Sequence, residues 1–258
     1  MATGELLITR DELVWQAHDG STVAGEVRAR RLPDGRHHLF FDAWHTDAYR
    51  PLTAAVARDL RHDLYVTLDD AEFDSIEACE RAGFAESRRE SIFKIPTGAA
   101  VTGLVPATAP LPPGFTVVSP DEADLNRLRL LDDDLRQDVP GTDGWRWDRE
   151  GFERETFGRG YDPSTYLVAV APDGDYVGLV RVWQNRNLPR LGLMAVRRPY
   201  RRRGITRALL RQAFGSCHER GREYATAEAD DENLPSVTLL TSLGARRIGG
   251  TVELLRKA

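Results

Sequence analysis

The chain has 258 residues, enough for one large domain or two modest ones, with 40 acidic against 35 basic side chains and a net charge of −5. Hydrophobic residues at 41% and charged residues at 29% supply an ordinary globular core and exclude disordered, collagen-like and fibrous chains. No apolar run approaches the ~18–20 residues of a bilayer span, the N-terminus lacks a basic segment followed by an apolar one, and Cys79 and Cys217 make neither a disulfide framework nor a metal-ligand spacing. A soluble cytoplasmic protein with no membrane partner is expected.

The first 96 residues end at Pro96–Gly114, which holds five prolines, three glycines and almost no charge. Proline keeps such a segment extended and denies it helical hydrogen bonds, so it reads as a semi-rigid linker. The expected organisation is 1–96, a linker over 97–114, and a second domain over 115–258.

In the second block, 115–119 (FTVVS) is a short strand. Ser119-Pro-Asp-Glu122 is a capping box with proline at the first helical position, predicting a helix that carries Leu125, Leu128, Leu131 and Leu135. A second helix starts near Asp148. Two β-branched runs joined by Pro172-Asp-Gly-Asp175 form a hairpin. Strand 191–196, helix 205–220 ended by Gly221, strand 224–229, helix 235–243 stopped by Gly244, and a closing apolar segment (VELL) complete the order β-α-α-β-β-β-α-β-α-β. One crossover, from 191–196 through the helix to 224–229, demands parallel pairing and should be right-handed. The fold class is a mixed α/β sheet with helices on both faces.

A weak internal repeat relates Ser75–Phe84 to Ser236–Ala245 at an offset of 161, and Tyr49-Arg50 to Tyr200-Arg201 at an offset of 151. The first helical hairpin has no counterpart in the N-terminal half. The reading is one complete domain and one abbreviated copy.

Arg197, Arg198, Arg201, Arg202, Arg203, Arg207 and Arg211 crowd a strand-to-helix turn, three of them immediately before Gly204. A helix start offers free N–H groups and partial positive charge, arginine adds bidentate pairing, and glycine lets the backbone approach, so the turn suits a phosphate-bearing ligand. A solvated basic face is the plainer reading. Nucleic acid is disfavoured by the acidic net charge and the absence of interleaved aromatics.

The run from Val196 to Leu210 (VRRPYRRRGITRALL) resembles the acyl-CoA-binding motif of the GNAT N-acetyltransferase superfamily, and the resemblance continues through Glu228, Asn233 and Ser242-Leu243-Gly244. The repeat and linker resemble tandem members of that superfamily, with the mycothiol synthase architecture. The resemblance implies an acyl-CoA N-acyltransferase fold in two tandem copies: a mostly antiparallel twisted sheet with flanking helices. It implies acetyl-CoA as cosubstrate and no metal. Met194, Ala195 and Val196 would pair with the pantetheine arm, Arg201, Arg202, Arg203, Gly204, Ile205, Thr206 and Arg207 would hold the pyrophosphate, and Asn233 would contact the cofactor. Arg202 and Thr206 stand where glycines are common. Leu240 occupies the place of the tyrosine that protonates the leaving thiolate, so no general acid is assigned. The N-terminal copy has Pro51 and Leu52 where the phosphate loop would be. No CoA is expected there, and its expected role is to flank the catalytic sheet and wall the acceptor pocket.

Transfer to an amine needs a neutral nucleophile. Deprotonating an alkylammonium of pKa ~10.4 near pH 7 costs about 4–5 kcal/mol, a base contributes about 3–5 kcal/mol, and holding the reactants together ~7–11 kcal/mol. Positioning is the larger contribution, so the missing tyrosine does not exclude catalysis. Glu228 is the candidate base, with an ion-paired strand-end carboxylate as the plainer reading; Asp230 and Asp231 are read as capping or solvated. A backbone N–H near Val196 is the expected oxyanion donor. The resemblance places the loop with Asp134, Asp138, Asp143, Trp145 and Trp147 on the acceptor side, where carboxylates and indoles suit a cationic small-molecule amine. Packed tryptophans and capping aspartates are the alternative. The six histidines make no metal pattern. Cys217 reads as core. A homodimer is left open. A non-catalytic acyl-CoA-binding or regulatory protein is the second functional reading.

Overall fold

The computed structural model describes residues 6–43, 45–142 and 144–258, and the chain divides into two compact units, Met1–Glu90 with Gly249–Ala258, and Ser91–Ile248.

The first unit opens with four strands, β1 (Leu7–Asp11), β2 (Val14–Asp19), β3 (Thr22–Arg31) and β4 (His37–Ala43), each paired antiparallel to the next. Tight turns force this order; Gly35, at φ 87°, closes the reversal between β3 and β4. Helix α1 (Tyr49–Leu60) then crosses over to β5 (Leu64–Asp69), which runs parallel to β4 in the register His37↔Leu64. Helix α2 (Phe73–Arg81) and strand β6 (Ala85–Pro96) follow. The last strand of the chain, β12 (Arg246–Arg256), pairs antiparallel with β5 from Thr251 to Arg256, giving the order β1-β2-β3-β4-β5-β12. The core gathers Trp15, Val27, Leu39, Leu52, Val56, Leu64, Val252 and Leu254. The start of α1 is closed by apolar side chains, with Tyr49 and Leu52 both buried.

The second unit runs through α3 (Ala99–Thr102), β7 (Thr116–Val118), α4 (Leu125–Arg136), α5 (Arg149–Thr156), β8 (Tyr166–Val170), β9 (Tyr176–Trp183), β10 (Arg190–Val196), α6 (Ile205–Glu219), β11 (Tyr224–Asp230) and α7 (Leu234–Ser242). Its strands are ordered β6-β11-β10-β9-β8-β7. Pairing is antiparallel from β7 to β10 and parallel between β10 and β11, the expected single crossover. One face packs α6 and α7 through Leu209, Ala213, Phe214 and Leu243; the other packs α4 and α5 through Leu128, Leu131, Leu135 and Phe152. The mixed, mostly antiparallel sheet with flanking helices is as the sequence indicates. Offset 161 carries Phe73–Arg81 onto Leu234–Ser242, and each of these helices is followed by a glycine with positive φ, Gly83 and Gly244.

Three features differ from the sequence-based expectation. The proline-rich segment is packed: Leu104 and Ala109 are buried in the core of the second unit, and Thr97 donates its N–H to Glu223 O at 3.0 Å. Proline restrains the backbone, but the apolar side chains between the prolines still seek burial. The closing strand divides, with Gly249–Ala258 in the first unit. The helix expected after Pro120 starts at Leu125, because Asp124 is the residue whose carboxylate accepts the N–H groups of Asn126 and Arg127 (2.9 and 3.0 Å). Glu122 still reaches back to the Ser119 N–H at 3.1 Å. Among the described residues no helix is long and apolar enough to cross a membrane.

Candidate functional site

Strands β10 and β11 run together for only two residue pairs, Arg190↔Thr226 and Leu191↔Ala227. A bulge lies at Gly192, and a Cβ there would fall inside the ring of Trp183 on the neighbouring strand β9. Beyond the bulge β10 stays paired with β9 alone, ending with the Arg197 N–H on Val177 O at 2.8 Å. Backbone groups alternate along a strand, so the N–H groups of Met194 and Val196 face away from β9, toward the side β11 has left. The Val196 carbonyl on that side accepts from Arg201 Nε at 2.8 Å. A strand edge is thereby left open inside a sheet.

After Val196 the chain makes a 3₁₀ turn over Arg198–Tyr200 and enters α6 through Arg202 at φ 61° and Gly204 at φ 82°. Gly204 is the N-cap and has no side chain to cap with, so the first N–H groups of α6 are left for a ligand. The open strand edge and this helix start border one cavity of about 710 Å³. Ten of the eleven residues expected to hold the cofactor line it: Met194, Ala195, Val196, Arg201, Arg202, Gly204, Ile205, Thr206, Arg207 and Asn233. Arg203 does not; its guanidinium lies 5.4 Å from the Tyr200 ring centre. Asn233 caps α7, accepting from the Ser236 N–H at 3.3 Å. The donor set, two left-handed backbone positions and cationic rim fit a diphosphate-bearing thioester.

The acetyltransferase (GNAT) family pattern matches residues 128–245, the span that holds this cavity. The matched span is 118 of the 258 residues, so this is a likeness of part of the chain to that family. Solved structures agree on the fold. A GCN5-related N-acetyltransferase from Sphaerobacter thermophilus superposes with a TM-score of 0.70 at 18% identity, covering 95% of this chain and 80% of its own. A tandem GNAT protein from the clavulanic acid biosynthesis pathway gives 0.68 at 15% identity, covering 95% and 82%. A GCN5-related N-acetyltransferase from Kribbella flavida gives 0.59 at 12%, covering 98% and 90%. No curated protein matches the chain in sequence.

The residues expected on the acceptor side are less concentrated than the sequence suggests. Of Asp134, Asp138, Trp145 and Trp147, only Asp138 lines the cavity. It accepts from Arg198 and from Arg201 Nη2 at 2.5 Å, and these guanidinium groups hold its carboxyl below the usual carboxylate range. Asp134 pairs with Arg197 at 2.8 Å. Trp145 and Trp147 pack edge to face at 5.3 Å, both beside Arg136. Trp147 also donates its ring N–H to buried Asp132 at 2.9 Å. Packing and capping therefore account for most of this loop; Asp143 lies outside the described residues.

Glu228 is half-buried on β11 and gives both carboxylate oxygens to Arg190, and it is not among the cavity-lining residues. Asp230 accepts from the Glu232 N–H at 2.8 Å and Asp231 from the Ser91 hydroxyl at 2.6 Å. Leu240, which the resemblance sets against a tyrosine, is buried in the core with Leu243, and Cys217 is core as well. Leu135, Val139, Tyr200, Pro235, Ser236 and Leu239 line the cavity unanticipated. Spacing could have found four of them, since Leu135 and Val139 lie one turn apart, as do Ser236 and Leu239.

Proposed function

We propose that the protein transfers an acetyl group from acetyl-CoA to the primary amine of a small molecule, by direct attack within a ternary complex. The observation that carries this is one cavity bounded by an open strand edge, a helix start capped by Gly204 and an arginine turn. Bound acetyl-CoA supplies an activated thioester. The chain supplies the N–H groups of Arg202, Ile205, Thr206 and Arg207 with the Arg201 and Arg207 side chains for the diphosphate. The Met194 and Val196 N–H groups lie along the pantetheine arm, and the Val196 N–H also suits a developing oxyanion. Asn233 closes the opposite wall. No side chain is assigned to take the amine proton, because both Glu228 oxygens serve Arg190. Positioning, worth ~7–11 kcal/mol, then carries more of the rate than acid–base chemistry at ~3–5 kcal/mol.

A non-catalytic acyl-CoA-binding protein is the second reading, favoured by the engagement of Glu228 and the burial of Leu240. Thiol release from acetyl-CoA over a panel of amines separates the two: turnover supports the enzyme, and binding without turnover supports the sensor. The cradle itself is tested by Gly204→Val. A Cβ at Gly204 meets only Pro110 O, at 3.8 Å, but φ 82° strains any L-residue by about 1–2 kcal/mol. Calorimetry should show the fold retained and CoA affinity reduced more than tenfold; unchanged affinity would place the cradle elsewhere.

A further inference from the structure

Under α4, on the face of the sheet opposite α6, lies a buried positive charge that the cosubstrate cavity does not use. Arg181 of β9 is 1% exposed, and its Nε and Nη1 have no hydrogen-bond partner among the described residues. Two aromatic rings border it: Trp183, with its centre 4.3 Å from the guanidinium carbon, and Tyr166, at 5.4 Å. Ring faces soften a buried cation but do not neutralise it.

The charges nearby do not balance it either. Asp132 gives one oxygen to Arg136 Nε at 2.5 Å and to the Trp147 ring N–H, and Asp133 pairs with Arg129 at 3.1 Å. Each acid at this end of α4 already has its own base. Arginine does not shed its proton inside a protein, so Arg181 stays charged. Water could satisfy its N–H groups yet would leave the charge uncompensated, which is costly in a dry interior. The Tyr166 hydroxyl, buried in the same layer, has Arg181 as its polar neighbour and no second partner among the described residues. Unsatisfied Arg181 donors beside a hydroxyl that can also donate suit an anionic occupant that the chain itself does not provide.

The location is informative. Across the sheet Arg181 stands opposite Tyr166 on β8 and Leu193 on β10, one residue before the Met194–Val196 stretch that lines the cavity. Trp183 stands opposite Arg190, the partner of Glu228. The buried cation thus lies beside the end of β10 where the open edge begins.

We propose that Arg181 receives a carboxylate of the acceptor, so that the amine acylated here belongs to an amino acid or an amino-acid-like molecule and not to a plain alkylamine. This rests on the acyl-transfer reading above. Arginine suits a carboxylate through charge-assisted hydrogen bonds, and an anion at this place would balance the local charge.

The test uses amines that differ only in the carboxylate: lysine against cadaverine, phenylalanine against phenethylamine, and 4-aminobutyrate against propylamine. Thiol release from acetyl-CoA by the full-length protein should favour the carboxylated member at least 100-fold in kcat/KM for one or more pairs. Arg181→Met should reduce that preference to within threefold, mainly by raising KM for the acid, while turnover of the plain amine persists. Arg181→Lys, which keeps the charge and loses the planar fork, should restore part of it. Equal use of both members by the wild type, or a preference that survives Arg181→Met, overturns the proposal and leaves acyl transfer standing. A lowered melting temperature with an unchanged preference would likewise mark Arg181 as structural and overturn it. No thiol release with any amine, despite CoA binding, would remove the acyl-transfer reading and this assignment with it.

Discussion

Arg202 holds φ at 61°, a left-handed geometry that costs a residue bearing a Cβ about 1–2 kcal/mol. The turn into α6 keeps it because the next left-handed position, Gly204, follows two residues later, and together they aim the peptide nitrogens at the cavity. If the backbone is what holds the diphosphate, the side chain at 202 is dispensable. Arg202→Gly relieves the strain but adds about 0.5–1 kcal/mol of chain entropy to the unfolded state. The melting temperature should therefore move by no more than about 6 °C, and calorimetry should find CoA affinity within about threefold of wild type. A tenfold loss would show that the guanidinium carries the binding. Glu228 teaches the complementary lesson. Its place at a strand end was visible in the sequence, but its bidentate partner Arg190 lies 38 residues away on a parallel neighbour, and only the β10–β11 register brings the two together.

At the scale of an element, the end of α4 is tied to the arginine turn by Asp134–Arg197 and by Asp138 with Arg198 and Arg201. Exposed ion pairs contribute about 0–1 kcal/mol each, so this connection is soft. Asp138 also lines the cavity, where its charge opposes an incoming diphosphate and competes with it for Arg201. Asp138→Asn should tighten CoA binding three- to tenfold, equivalent to roughly 0.7–1.4 kcal/mol, and the gain should shrink at high salt. Asp134→Asn is the control, since neither Asp134 nor Arg197 lines the cavity, and it should leave affinity unchanged. Weaker binding in Asp138→Asn would mean that the carboxylate preorganises the arginines instead of opposing the ligand. The helix itself was legible, because Leu128, Leu131 and Leu135 recur at its period and all are buried. Its partners were not. Asp138 and Arg201 are 63 residues apart, and nothing local announces that they meet. The wall proposed here as the cosubstrate cradle was legible as one piece for the opposite reason: strand, turn and helix start are consecutive in the chain and line one cavity.

At the scale of the molecule, the apolar run near the C-terminus announced a strand but not the sheet it would enter. Alternation fixes which face a strand buries and says nothing about its neighbour. Residues Gly249–Ala258 belong to the first unit, where Val252 and Leu254 are fully buried and β12 pairs with β5 over six residues. Glu253, also buried, accepts from Arg36 at 3.1 Å, from the Ser87 hydroxyl at 3.1 Å and from Arg88 at 3.4 Å. Burying two such aliphatic side chains is worth about 3–6 kcal/mol, before the six-residue pairing and the Glu253 contacts are counted. A typical domain has only about 5–15 kcal/mol in total. A chain ending at Ile248 should therefore lose the cooperative fold of the first unit while the second unit, which holds the whole cavity, persists. Hydrogen exchange should show protection lost across β2–β5 and retained across β8–β11, with CoA affinity within threefold of the full chain. A peptide of residues 249–258 added in trans should restore protection in β5 first, because β5 is the strand it pairs with. Protection in β5 that survives the truncation would mean that the first unit closes its sheet without the C-terminal strand.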